Sequence, residues 1–256
     1  MNIKPALTAI FLSLYAAVPL SSECVILLHG LARSPDSMNA LGKKLEQSGY
    51  RVANIGYPSR QMNIEQLAEF AVKAGIAQCA TLDASPLNFV THSLGGILVR
   101  QYYSSHQPEN IKRVVMLGPP NNGSEVVDRM KNIPGYALLN GPAGMQLGTD
   151  SDSTPIKLGP VNFELGVIAG TRSINLILSS LLPNPDDGKV SVASAKIEGM
   201  CGFITLPTTH PFMMKSEPVM AQVISFLRNG RFNGEKAMAN CVSTHQISSP
   251  RQHQNP

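Results

Sequence analysis

Residues 91–96 read Thr-His-Ser-Leu-Gly-Gly and set a serine among small neighbours. The apolar stretch beginning at Leu87 leads into them, and Ile97, Leu98, Val99, Tyr102 and Tyr103 follow at helical spacing. A strand that passes straight into a helix through such a serine has the layout of a nucleophile elbow. The strained turn holds the hydroxyl clear of the sheet, and the residues two away on either side must be small for strand and helix to approach. Gly95 meets that demand on one side, and Thr91 stands where a glycine is expected on the other. The plainer alternative is a helix N-cap serine followed by a glycine turn. The rest of the chain has to decide between them.

A serine nucleophile needs a histidine base within hydrogen-bond reach and a carboxylate to orient that histidine. On a strand–elbow–helix unit the chain order is serine, acid, histidine. Of six histidines, His29 precedes the serine, His92 adjoins it and is expected to point elsewhere, His106 ends its helix, and His245 and His253 fall in a polar tail. His210 remains, in the loop Pro207–Pro211 between a last strand at Gly202–Leu206 and a last helix opened by Ser216-Glu217-Pro218 and closed by Gly230. Between Ser93 and His210 lie Asp128, Asp150, Asp152, Asp186 and Asp187. Asp128 reads as the solvent face of a helix, and Asp150 and Asp152 as loop residues. Asp187 is preferred to Asp186 in the turn Asp186-Asp187-Gly188, whose plain alternative is an Asp-Gly turn without chemistry. An oxyanion formed on such a serine needs fixed N–H donors, for which the backbone of Leu94 and of Leu31, after His29-Gly30, is expected.

These groups require a particular scaffold. Cys24–His29 is a continuous apolar run, as in a parallel strand covered on both faces. A helix with Met38, Leu41 and Leu45 on one face follows, then a strand at Tyr50–Ile55, a long helix capped by Asn63, the elbow, and strands at Ile111–Leu117 and Leu165–Ala169. Strands alternating with helices predict an α/β fold, a mostly parallel sheet flanked by helices, with functional groups at the carboxyl ends of strands. His29-Gly30, Ser93 and Gly118-Pro119-Pro120 all fall at such ends. Residues 119–160, rich in Gly, Pro, Asn, Ser and Asp, read as loops over that face.

Residues 1–22 carry Lys4 and then an apolar stretch ending in Ser21-Ser22, the shape of an export signal and short of the ~20 apolar residues of a spanning helix. The catalytic domain is expected over 23–232 and a polar tail over 233–256. Export to the periplasm or medium places the four cysteines in an oxidising compartment. They allow three pairings, and chain order favours Cys24–Cys79 with Cys201–Cys241, Cys24 opening the first strand and Cys79 closing the helix before the elbow strand. A net charge of +4 without a Lys/Arg cluster and the absence of Trp give no nucleic-acid footprint. No Cys/His spacing suggests zinc, so neither metal nor cofactor is expected.

Together, Leu28-His29-Gly30-Leu31, Thr91–Gly96, Asp187-Gly188-x-Val190 and His210 resemble the α/β-hydrolase superfamily, and more closely its compact bacterial secreted lipases and esterases. The resemblance runs from Cys24 to Phe232, and Pro119-x-x-x-Gly123-Ser124 extends it. It implies Ser93, Asp187 and His210 as the triad, Leu31 and Leu94 as oxyanion donors, and an exported monomer acting on a small-molecule ester or lipid, with transient contact with lipid surfaces. Two departures are Thr91 and the absence of the two leading strands of larger members; no large lid is evident. An acyltransferase or thioesterase with the same triad, and a non-catalytic binding protein on the same fold, are the alternatives.

Overall fold

The computed structural model describes residues 23–108, 110–174, 176–235 and 241. The expected export signal and the tail beyond 241 lie outside these residues. Six strands, β1 (Cys24–Leu28), β2 (Arg51–Ile55), β3 (Leu87–His92), β4 (Ile111–Leu117), β5 (Leu165–Gly170) and β6 (Gly202–Leu206), make one sheet in the order β2-β1-β3-β4-β5-β6. Every neighbouring pair is parallel, so all six strands present their carboxyl ends to one face, where the connecting loops gather.

The helices are α1 (Asn39–Gln47, after a 3-10 turn over Pro35–Met38), α2 (Ile64–Thr81), α3 (Leu94–Tyr103), α4 (Glu125–Met130), α5 (Tyr136–Met145), α6 (Thr154–Lys157), α7 (Leu176–Ser179), α8 (Val192–Ala195) and α9 (Glu217–Asn229). The apolar runs of the strands serve both faces of the sheet. In β1, Ile26 and Leu28 pack on the side of α2 and α3, and Val25 and Leu27 on the side of α1 and α9. Asn63 caps α2, its side chain accepting from the Gln66 N–H at 2.9 Å while Gln66 reaches back to the Asn63 N–H.

Two disulfides tie the ends of these elements. Cys24–Cys79 joins the start of β1 to the last turn of α2, and Cys201–Cys241 joins the start of β6 to the chain beyond α9. Closing the 55-residue span of the first one restricts the unfolded chain by about 4 kcal/mol.

The segment over 119–160 differs from the loops expected. It holds α4, the helix expected around Asp128, and also α5 and α6, which the sequence conceals because α6 is short and α5 is broken at Gly141 (φ 66, ψ −176) and Pro142. Arg100 of α3 anchors the segment from below. Its buried guanidinium donates to Asn121 O at 2.8 Å, Pro155 O at 2.9 Å and Gly159 O at 2.8 Å. Removal from water brings its pKa down to about 10, so it remains a cation at neutral pH. The packed chain also runs past residue 232: Phe232 is buried against Phe226 with ring centres 4.8 Å apart, and Glu235 accepts from the Phe203 N–H at 2.7 Å.

Candidate active site

Ser93 sits between β3 and α3 with φ 53 and ψ −119, a left-handed conformation that is costly for a residue with a side chain. Close packing holds it there. A Cβ on Gly95 would stand 2.6 Å from the Leu28 carbonyl oxygen and 3.0 Å from its Cβ, so only glycine lets α3 come down onto β1 at this point. Thr91 is accommodated from the far side. A Cβ on Gly96 would lie 3.3 Å from Thr91 Oγ1, so the missing side chain of Gly96 leaves the space that Thr91 fills. The helix start adds a favourable dipole beneath the serine.

His210 follows β6, and its ring bridges two partners. Nδ1 donates to Asp187 Oδ2 at 2.7 Å, and the Ser93 hydroxyl donates to Nε2 at 3.0 Å. The backbone adds a tie, with the His210 N–H donating to Asp187 O at 2.9 Å. The second carboxylate oxygen of Asp187 accepts from the N–H groups of Lys189 and Val190 at 3.0 and 2.9 Å, which fixes the carboxylate plane. Asp186 turns the other way, accepting from Ser179 Oγ at 2.6 Å and the Gly188 N–H at 2.7 Å. Asp128 is bound to Thr149 and Lys131, and Asp150 to Lys131.

Two glycines at strand ends make room for this hydrogen-bonded row. A Cβ on Gly118, just past β4, would come within 2.8 Å of Asp187 Oδ2 and 3.1 Å of His210 Nδ1. One on Gly170, the last residue of β5, would come within 2.7 Å of Asp187 Cβ. Neither was singled out from the sequence for this purpose; a glycine closing an apolar strand was the available signal.

Leu31 lies in the loop after β1, and Leu94 is the first residue of α3. Among the described residues the backbone N–H of neither donates to a protein acceptor, and Leu31 lines the same cavity as Ser93 and His210. The loop around Leu31 is braced. The Ala32 N–H donates to the buried Ser59 hydroxyl at 3.0 Å, the Tyr57 hydroxyl donates to His29 O, and the His29 ring stacks on Tyr57 with centres 3.9 Å apart. A Cβ on Gly30 would lie 2.7 Å from His92 Nδ1, so glycine is required for this loop to close over the elbow. The bracing residues Tyr57 and Ser59 escaped the sequence reading because their partners are 27 or 28 positions away.

His92 does not face the serine hydroxyl, yet it is not idle. Its Nε2 donates to the His210 backbone carbonyl at 2.9 Å, holding the loop that carries the base. Burial, then the neighbouring charges of His210, Arg33 and His29, hold its pKa well below the ordinary histidine range, so the ring is neutral. His29 is likewise depressed by burial.

Ser93 and His210 open into a cavity of about 110 Å³ walled by Leu31, Val126, Val127, Tyr136, Leu147 and Val190. Among the described residues no group of His, Cys, Asp and Glu is arranged to hold a metal ion. The arrangement can move a proton from a hydroxyl to an imidazole while a carboxylate steadies the resulting charge.

The fold is shared with known proteins. The family model of the alpha/beta hydrolase fold matches residues 23–163, and the chain belongs to that family. Its fold is similar to that of the mature lipase BlEst2 of Bacillus licheniformis (TM-score 0.66, 18% identity, 82% of this chain and 93% of that one). It is also similar to phospholipase PlaB of Legionella pneumophila (TM-score 0.64, 16% identity, 82% and 60%) and to lipase B of Aspergillus fumigatus (TM-score 0.60, 15% identity, 81% and 52%). Comparison with curated protein sequences gives no match.

Proposed function

We propose that this chain is an exported serine hydrolase that cleaves carboxylic esters, with Ser93 as nucleophile, His210 as base and Asp187 as the acid that orients it. The observation carrying the reading is the unbroken row from Asp187 through His210 to a Ser93 hydroxyl that meets a cavity with an aliphatic side. Ser93 Oγ attacks the acyl carbon as His210 Nε2 takes its proton, and the carbonyl oxygen becomes an oxyanion facing the N–H groups of Leu31 and Leu94. Each such donor is worth about 3 kcal/mol of barrier. Collapse expels the alcohol, which receives the proton from His210 and leaves an acyl group on Ser93. Water, deprotonated by His210, releases the acid and restores the hydroxyl.

The domain carrying this chemistry is 23–232. The two disulfides support an oxidising destination, periplasm or medium, as the export-like segment 1–22 does. Leu138 and Phe212, apolar and exposed on segments that follow strand ends, suit brief contact of a monomer with a lipid surface. No described helix is long and apolar enough to cross a membrane. The similar structures include two lipases and a phospholipase, which accords with an acyl-ester substrate.

Hydrolysis of a p-nitrophenyl acyl ester tests the reading. The wild-type protein is expected to turn it over, and Ser93→Ala to lose roughly 10⁶-fold in kcat, as removal of a triad serine does. Turnover that survives the substitution rejects the role given to Ser93.

A further inference from the structure

The catalytic cavity is small. Its volume of about 110 Å³ falls below the ~300–1,000 Å³ of sites that engulf a whole ligand, so part of a bound ester must lie outside it. What adjoins it is a second cavity of about 420 Å³, which shares Ala32 and Arg33 with the first and is otherwise bounded by Tyr57, Pro58, Ser59, Arg60, Gln61 and Leu138. The two differ in character. The first has an aliphatic side formed by Leu31, Val126, Val127, Leu147 and Val190 and a polar side that includes Arg33; the second is polar and adds Arg60. Lys189 stands on the wall of the first, in the turn that follows Asp187.

Three cations therefore border these two adjoining spaces, and no carboxylate lines either one. Among the described residues, the side chains of Arg33, Arg60 and Lys189 make no ion pair. Burial, and then the nearby charge of Arg33, lower the pKa of Lys189, while the Asp187 carboxylate acts in the opposite sense. Like charges brought together on a site wall repel, and a bound anion relieves that repulsion. The cations also lie on segments whose backbones the site already uses, Arg33 two residues after the Leu31 N–H and Lys189 two residues after Asp187.

We propose that the substrate is an ester of an anionic alcohol, whose acyl group enters the aliphatic side of the cavity at Ser93 while an oxyanionic group, phosphate or carboxylate, is held by Arg33, Arg60 and Lys189. This rests on the hydrolase reading above and narrows its substrate class. The aliphatic side of the first cavity sets the acyl end, and the cationic side, from Lys189 and Arg33 to Arg60 in the second cavity, receives the alcohol. An uncharged ester of the same size forgoes the charge-assisted contacts.

The test compares kcat/KM, by release of butyrate, for three butyryl esters: 1-butyryl-glycerol 3-phosphate, 3-butyryloxypropionate and uncharged 1-butyrylglycerol. Wild-type protein is expected to favour an anionic ester over the uncharged one by roughly tenfold or more, the phosphate and carboxylate arms showing which oxyanion is taken. Arg33→Gln, Arg60→Gln and Lys189→Gln should each lower that ratio severalfold, and high salt should lower it too. Lys43→Gln, a change that lines neither cavity, should keep it. A ratio at or below one in the wild type, or one that the three substitutions leave unchanged, overturns the proposal while turnover of 1-butyrylglycerol leaves the hydrolase reading standing. No turnover of any ester, with Ser93 inert to a fluorophosphonate, overturns both.

Discussion

Asp186 and Asp187 are adjacent, and the chain order of serine, acid and histidine admits either. Their hydrogen bonds separate them. Asp187 faces His210 and takes two backbone N–H groups on its other oxygen, whereas Asp186 is committed to Ser179 and Gly188. Asp187→Asn should therefore lower kcat by roughly 10⁴-fold, because an amide no longer holds the imidazole tautomer that accepts the serine proton. Asp186→Asn should leave kcat within about tenfold of wild type and appear mainly as a loss of ~1–2 kcal/mol in stability. Ester turnover and denaturant midpoints on the two variants check this; equal kcat losses would contradict the assignment. The sequence singled out Ser93 and His210 by position relative to strands, since a nucleophile and a base have characteristic places on this scaffold. It gave Asp187 only a preference, because which of two neighbouring carboxylates faces a ring depends on the turn around Gly188. His92 as a prop for the base loop was not legible, since its partner is a carbonyl 118 residues away.

At the scale of elements, the elbow works because β1, β3 and α3 approach more closely than side chains ordinarily permit. Gly95→Ala places a methyl group 2.6 Å from a backbone oxygen of β1, which cannot turn aside as a flexible side chain could. We expect a stability loss of about 1–3 kcal/mol from overpacking, together with a fall in kcat as Ser93 moves with the helix. Urea melts and ester kinetics on the variant test this, and an unaltered melt with unaltered kcat would show that α3 has slack the packing does not suggest. The inner strands β1, β3, β4 and β5 were legible because strands covered on both faces are largely apolar, whereas β2 and β6 lie at the sheet edges and keep exposed positions. Over 119–160 only the helix around Asp128 was legible; α5 and α6 were not, because α6 is only 4 residues long and α5 is broken by Gly141 and Pro142. Such segments hold their shape through tertiary anchors such as Arg100, and local propensity gives little sign of them.

The whole molecule carries a pH dependence built into its interior. His29 and His92 are both fully buried with depressed pKa values, so the folded chain resists taking protons that the unfolded chain accepts below about pH 6.5. The unfolded state then binds more protons than the folded one, and stability falls as pH drops through that range, by up to about 1.4 kcal/mol per pH unit for each such histidine. Thermal melts from pH 7 to 5 should show a falling Tm. His92→Gln retains an N–H for the His210 carbonyl and should flatten the slope by about one histidine's share. A wild-type Tm independent of pH over this range, or an unchanged slope in the variant, would contradict the burial argument.

The central claim is that one hydroxyl among all those in the chain is activated, and covalent labelling addresses it most directly. Wild-type protein treated with a fluorophosphonate and digested for mass spectrometry is expected to carry one adduct, on Ser93, with labelling abolished in Ser93→Ala and strongly slowed in His210→Gln. An adduct on another residue, or labelling indifferent to the loss of His210, would contradict the role assigned to Ser93, His210 and Asp187.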